Sequence, residues 1–232
     1  CFCAIYLIGL VFLVRTYYLK NDKELKPDFN QKYFRDIPSN YHPATVGYLF
    51  NKKVSSNDLS ASILNLIDKK IIEVSGNDKK TYKFTYVLKD ASLDEADRYL
   101  IKLLFGEKDE ILLEDFKKNA KKNYTSFLDK YDAWVGIERV IAMDENFYEA
   151  KNNSLYVLYF VIGIILGCVS VTLTPFGFLV VLLSIIALIY ISTCNKRTKK
   201  GNEEFAKWKA LKNFMKDFSI IDKRELPEVS LW

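Results

Sequence analysis

The stretch LYVLYFVIGIILGCVSVTL at residues 155–173, the break Thr174-Pro175-Phe176-Gly177, and the run FLVVLLSIIALIYIST at residues 178–193 decide the fold. Neither run holds an Asp, Glu, Lys, Arg or His. Nineteen helical residues at a 1.5 Å rise reach roughly 28 Å, close to the roughly 30 Å hydrocarbon core of a bilayer. The second run is shorter and can draw on Phe176 and an interfacial Tyr190. Proline ends a helix and glycine accepts positive φ, so Pro175 and Gly177 predict a tight turn. A transmembrane helical hairpin over 155–193 follows. A buried hairpin in a large soluble protein is disfavoured, because an uncharged run this long is expected to cross lipid.

The flanks orient the hairpin. Its turn carries no charge, whereas Asn195-Lys196-Arg197-Thr198-Lys199-Lys200 sets four cations just past the second run. The positive-inside rule predicts both ends in the cytoplasm. Residues 1–14 are also apolar and are followed by Arg15, Tyr17-Tyr18, Lys20, Lys23 and Lys26. Fourteen residues are too few to cross a bilayer, and the basic residues come after the apolar run, the reverse of a signal peptide. Residues 1–19 are therefore expected to be the end of a truncated transmembrane helix that exits into the cytoplasm.

Half of the chain is hydrophobic and about a quarter charged, with a formal net charge of +5. Between Lys20 and Asn153 the charges balance, 23 basic against 23 acidic. From Cys194 onward they stand ten against six. The basic excess thus gathers at membrane exits, which suits anionic lipid head groups and not a nucleic-acid footprint. Lys196, Arg197, Lys199, Lys200 and Trp208 are the expected head-group and interface residues. The cysteines, Cys1, Cys3, Cys168 and Cys194, have no zinc-ligand spacing. Cys194 could carry a palmitoyl chain, although a lone cysteine at a membrane edge is more often unmodified.

Residues 33–150 read as a soluble module. Pro43 opens a helix carrying Val46, Leu49 and Phe50. Ser55 or Ser56 caps a second, whose Leu59, Ile63, Leu66 and Ile67 recur at helical spacing. Ile71-Ile72-Glu73-Val74 is a predicted strand and Ser75-Gly76-Asn77-Asp78 a turn. Thr81 to Leu88 is a second strand with Tyr82, Phe84, Tyr86 and Leu88 on one face. Helix, turn, helix and a two-stranded wing make the winged-helix pattern. Its second helix offers Asn57, Asp58, Ser60, Ser62 and Asn65 and no arginine to read guanine edges, which disfavours DNA binding. Ser92-Leu93-Asp94-Glu95 reads as a capping box for a helix with Tyr99, Leu100, Leu103 and Leu104, stopped by Gly106. A longer helix is expected from Leu113 to Ala142, with Tyr124, Phe127, Leu128, Tyr131 and Trp134 at three-and-four spacing; these aromatics could line a binding groove, but the buried face of a helix is favoured. Past the basic exit, residues 202–218 form an amphipathic helix with Phe205, Trp208, Leu211, Met215 and Phe218 on one side. That stripe can rest on lipid or dock on the soluble module.

Two stretches carry a resemblance. Arg35-Asp36-Ile37-Pro38-Ser39-Asn40-Tyr41-His42-Pro43-Ala44-Thr45-Val46-Gly47-Tyr48-Leu49, running on into Asp58-Leu59-Ser60-Ala61-Ser62-Ile63-Leu64-Asn65-Leu66, resembles the YciQ-like family of predicted bacterial membrane proteins. Arg197-Thr198-Lys199-Lys200-Gly201, with Trp208, Phe214 and Leu226-Pro227-Glu228-Val229-Ser230-Leu231-Trp232, is similar to that family's tail. The resemblance implies an extracytoplasmic β-rich domain ahead of Cys1 and a continuation past Trp232. It brings no catalytic residues, since the family is uncharacterised.

Several activities are disfavoured by residue type. A transporter or channel usually needs polar or charged groups in mid-membrane, and, apart from tyrosines and the end residues Ser192 and Thr193, the hairpin offers only Ser170, Thr172, Ser184 and Cys168. The single histidine, His42, precedes Pro43 and suits a local turn better than general-base chemistry. Asp94, Glu95 and Asp97 cluster where a helix dipole favours acids anyway. No phosphate loop, HExxH helix or nucleophile elbow occurs, so no enzyme, cofactor or metal site is expected. Gly163-Ile164-Ile165-Leu166-Gly167 is a GxxxG pattern followed by Ser170, which lets helix backbones approach. Packing within the chain is favoured over self-association.

The expected fold class is an α-helical membrane protein with an α+β cytoplasmic domain, a winged-helix-like module plus a transmembrane helical hairpin. A basic amphipathic tail over 196–232 completes it. The expected role is a non-catalytic protein-interaction adaptor in the bacterial inner membrane, its partners lipid and an unknown protein or a second copy. A membrane-tethered DNA-binding regulator, or an accessory subunit of a transport or envelope assembly, is the alternative. No small-molecule substrate is indicated.

Overall fold

A computed structural model describes residues 2–77, 81–88, 92–172 and 174–222. Cys1, Asp78 of the expected turn, Leu173 and the 226–232 motif lie outside those residues. The chain divides into two compact units, Cys1–Asp28 with Phe147–Glu203, and Phe29–Asn146 with Glu204–Trp232.

The first unit holds three helices long and apolar enough to cross a membrane. Helix α1 (Phe2–Tyr17) continues through one π-helical turn, Tyr18–Asp22. It therefore reaches past Arg15, where the apolar run of the sequence had ended, and Cys3–Asp22 gives a 20-residue span. The hairpin follows later in the chain, and its helices are α7 (Ser154–Val171) and α8 (Phe176–Thr193). Most of their large side chains face outward, among them Leu155, Ile165 and Phe178. Their buried face combines the small residues Gly163, Gly167, Gly177, Ser184 and Ala187 with Phe160, Val180 and Ile191; small residues are expected where lipid removes the hydrophobic drive between helices. At the foot of the hairpin the backbone N–H of Thr198 donates to the Phe147 carbonyl at 2.9 Å, and that of Glu149 to the Lys196 carbonyl at 3.0 Å.

The second unit begins with α2 (Pro43–Asn51) and α3 (Ser56–Asp68). Proline at the first position of α2 loses no hydrogen bond, because that N–H is unpaired in any helix. Asp58, one turn into α3, accepts from both the Ser55 N–H and the Ser55 hydroxyl at 2.7 Å. A Cβ at Gly47 would run into the Asp58 carboxylate, so α2 meets α3 where only glycine fits. Asp58 and Ser62 are buried, contrary to their expected place on the polar face of this helix. Their short side chains fit the close approach of neighbouring helices.

Strands β1 (Ile72–Ser75), β2 (Lys83–Tyr86) and β3 (Glu110–Leu112) form an antiparallel sheet in chain order, with Val74 opposite Phe84 and Phe84 opposite Ile111. The third strand was not visible in the pattern, since three residues cannot display an alternation. Helix α4 (Glu95–Phe105) is capped by Asp94 and not by Ser92: the Asp94 side chain accepts from the Asp97 N–H at 2.8 Å. Gly106 closes α4 at a φ of 60°, a conformation that costs glycine little.

The long helix expected to run from Leu113 to Ala142 is two helices, α5 (Leu113–Lys122) and α6 (Tyr124–Asp144), broken at Asn123. Asn123 leaves helical geometry at φ −113° and ψ 47°, and the break lets Phe116 fold back on Phe127 at 5.9 Å. The core gathers Leu66, Ile72, Leu100, Leu104, Phe105 and Trp134. Helix α9 (Lys199–Asp222) starts in the first unit and runs into the second.

Candidate functional site

In the membrane unit the GxxxG face is covered by the chain itself. A Cβ at Gly163 would meet the Tyr6 ring and the Ser184 hydroxyl, and one at Gly167 would meet the Val181 side chain 2.6 Å away. Ser170 adjoins this seam through its backbone, which a Cβ at Gly177 would meet, while its hydroxyl donates back to the Leu166 carbonyl at 2.8 Å. The seam's polar contact is one the sequence did not single out, between the Tyr6 and Ser184 hydroxyls at 2.9 Å. Tyr6 also stacks on Tyr159 with ring centroids 5.0 Å apart.

The basic exit residues have protein partners. Lys196 donates to the Lys20 carbonyl at 3.0 Å and lies 3.7 Å from Glu149. Arg197 lies 3.4 Å from Glu24 and over the Tyr148 ring. Lys199 faces Asp28 at 3.3 Å and Lys200 stands over Phe147. Lys196 and Arg197 are thus mostly covered, while Lys199 stays largely exposed. Glu24, which binds Arg197 and accepts from Asn202 at 2.7 Å, carries no signal in a charge-balanced run. Cys194 is buried, its thiol donating to Asp22 at 3.0 Å. Burial first, then the Asp22 hydrogen bond and charge, push its pKa up to about 12. A thiol held protonated is a poor nucleophile.

In the second unit Phe205 and Trp208 of α9 pack on that unit's own fold. The Trp208 indole N–H donates to the Ser39 hydroxyl at 3.0 Å, and Phe205 packs on Phe50 at 4.9 Å between ring centroids. Farther along, Met215 and Phe218 are exposed.

Two features of the soluble unit can do something chemical. One is a groove of about 350 Å³ among α4, β3, α5 and α6. Leu103, Ile111, Phe116 and Phe127 supply its apolar lining, and Lys108 and Lys130 stand at its edge. The break at Asn123 shapes it, and Phe127 of the expected aromatic stripe stands in its wall.

The other is a cluster around His42. The residue before a proline is driven to extended backbone, and His42 sits there at φ −60° and ψ 145°, ahead of α2. Its Nε2 lies 2.9 Å from Asp94 Oδ2 and its Nδ1 lies 3.5 Å from Glu138 Oε2. Asp97 completes the group, 3.7 Å from Lys69. The interaction with Glu138 is the main cause that raises the His42 pKa, opposed by burial and helped by the Asp94 charge. Asp97 is also raised, by burial first and then by Asp94. His42, Asp94 and Asp97 present ligand atoms all within 4.8 Å of one another, a set that can hold a cation. Glu138 was missed in the sequence because it stands about forty residues from the acidic trio, inside an otherwise apolar stretch of α6.

Three apolar helices of spanning length, beside this helix-rich unit, mark a membrane protein. The family model described as "Predicted membrane protein (DUF2207) C-terminal domain" matches residues 30–232, and the chain belongs to that family. No curated protein and no solved structure matches it.

Proposed function

We propose that this protein is a non-catalytic membrane adaptor whose soluble unit receives an acidic peptide segment of a partner protein. The α2–α3 pair followed by the β1–β2 hairpin is read as a winged-helix-like module. The four cations between Lys196 and Lys200 favour a cytoplasmic side for it under the positive-inside rule. The observation that carries the reading is the groove lined by Leu103, Ile111, Phe116 and Phe127 and edged by Lys108 and Lys130. Such a groove takes an apolar anchor while its lysines meet acidic neighbours. Lys117, Lys118, Lys121 and Lys122, all exposed on α5, extend the same charge. On α3 the exposed face carries Leu64 and Asp68 and no arginine, a poor surface for a DNA groove.

The test is a fluorescence titration of the full chain in detergent with a labelled peptide that alternates aspartate and phenylalanine. Saturable binding is expected, weakened by salt, by Phe116→Ser and by the pair Lys108→Glu and Lys130→Glu. Equal binding of a lysine-for-aspartate peptide, or indifference to all three substitutions, overturns the groove. A salt-dependent shift of duplex DNA at lower protein concentration would favour the tethered regulator instead. Labelling of a cysteine placed by Lys199→Cys in whole cells tests the orientation, and reaction with an impermeant reagent sinks it.

A further inference from the structure

We propose that His42, Asp94 and Asp97 form a binding site for one divalent transition-metal ion with zinc-like ligand preference, and that Glu138 orients the histidine. The three ligands come from the entry to α2 and the first turn of α4, both in the soluble unit. At metal–ligand bonds of about 2.0 Å, tetrahedral ligands stand roughly 3.3 Å apart. The His42–Asp94 pair at 2.9 Å and the 4.8 Å limit for the whole set bracket that spacing. One imidazole and two carboxylates suit zinc, manganese or ferrous iron, and the set has no soft thiolate to draw copper(I). A fourth position would be left to water, as in zinc sites with three protein ligands.

An acidic group at a helix start proves nothing by itself. Glu138 is the independent observation. It is 1% exposed, its Oε2 forms no hydrogen bond, and that oxygen points at His42 Nδ1 from 3.5 Å. A buried carboxylate oxygen left without a hydrogen bond is costly. Its position makes sense if Nε2 is bound to a metal, because the far ring N–H of a metal-bound histidine is almost always donated to a carboxylate or carbonyl. That partner fixes the ring and makes its other nitrogen a better ligand.

Charge points the same way. Among the described residues, three carboxylates face one lysine, Lys69, beside the histidine. Even a protonated His42 leaves the group one negative charge in excess, whereas a divalent ion with neutral imidazole balances it. Access is available as well, since Asp94 is 40% exposed while Asp97 and Glu138 are buried beneath it.

The test uses the full chain in detergent, stripped with chelator and titrated calorimetrically with zinc chloride, then with cobalt(II) for absorption. One equivalent is expected to bind, with a cobalt spectrum free of thiolate charge-transfer bands. Asp97→Asn and His42→Gln are expected to abolish saturable binding. Asp94→Asn, which keeps a good helix cap, is expected to weaken it at least as much as Glu138→Gln, for which a loss of about 10–100-fold follows from its supporting position. Circular dichroism melting checks that each variant is folded, and only folded variants are compared. Absence of a saturable site, binding by Asp94→Asn and Glu138→Gln as tight as the parent's, or a thiolate band lost in Cys194→Ser overturns the proposal and leaves His42 as a counter-ion to Asp94 and Glu138.

Discussion

The two units of this chain solve packing in opposite ways. In the soluble unit the largest side chains are the most hidden, with Trp134 and Leu66 at 0% exposure. In the membrane unit most large apolar side chains are outside, Leu155 at 79%, although Tyr17, Phe160 and Ile191 are buried, and the close approach between helices is made by Gly163, Gly167, Ser184 and Ala187. Water drives apolar area inward at about 25 cal/mol per Å², so the soluble unit hides its largest groups. Lipid offers no such drive, so close backbone approach and interhelical hydrogen bonds hold the spans together. One amino-acid chain thus reads by two codes, and the same substitution has opposite meanings in its two halves.

The largest expected effect is Trp134→Ala, which empties the middle of the soluble core. A loss of about 3–5 kcal/mol is expected for burying nothing in place of a core tryptophan. Urea unfolding followed by protease sensitivity should show the soluble unit released and the 154–193 hairpin still protected. Equal loosening of both units would mean that they share one core.

Next comes Gly163→Leu, the reverse kind of change, which adds bulk where the seam admits none. It should cost about 1–3 kcal/mol through forced separation of α7 from Tyr6 and Ser184. Disulfide trapping between Tyr6→Cys and Ser184→Cys, efficient in the parent, should fall sharply when this change is added. Leu155→Ala on the lipid face serves as the contrast and should leave trapping unchanged.

Asp58→Ala removes the carboxylate that holds both the Ser55 N–H and its hydroxyl. A loss of about 1 kcal/mol is expected, the usual worth of such a helix-start contact, read as a lower denaturant midpoint for the soluble unit alone. The smallest effect is Tyr6→Phe, which keeps the ring on Tyr159 and removes only the bond to Ser184. Interhelical hydrogen bonds in membranes average about 0.6 kcal/mol, so the shift in detergent-titration midpoint should be barely resolved. A larger loss would show that this hydroxyl pair, and not the glycine face, holds the spans.

Much of the local structure was legible because its signals are short-ranged. Pro43 and Ser55 mark helix starts through their own backbone chemistry, and the uncharged runs at 155–193 report spanning length. The break at Asn123 was not legible, since asparagine is tolerated within helices and the aromatic spacing of Phe127, Tyr131 and Trp134 continues on one side of it. Ser92 and Asp94 are both good caps two residues apart, and the N–H of Asp97 decided between them. Trp208 reads as an interfacial residue by type, yet Ser39 lies at its indole N–H.

By itself the sequence marked the two hairpin runs of spanning length, because hydration cost depends on composition over a run and needs no partner. It also marked the starts of α2 and α3 and the family. Only the tertiary structure decided which polar groups meet: Tyr6 with Ser184, Glu24 with Arg197, and His42 with Asp94 and Glu138. Those pairs are separated by tens to well over a hundred residues, and electrostatic contact depends on distance through space, a quantity that order along the chain does not carry.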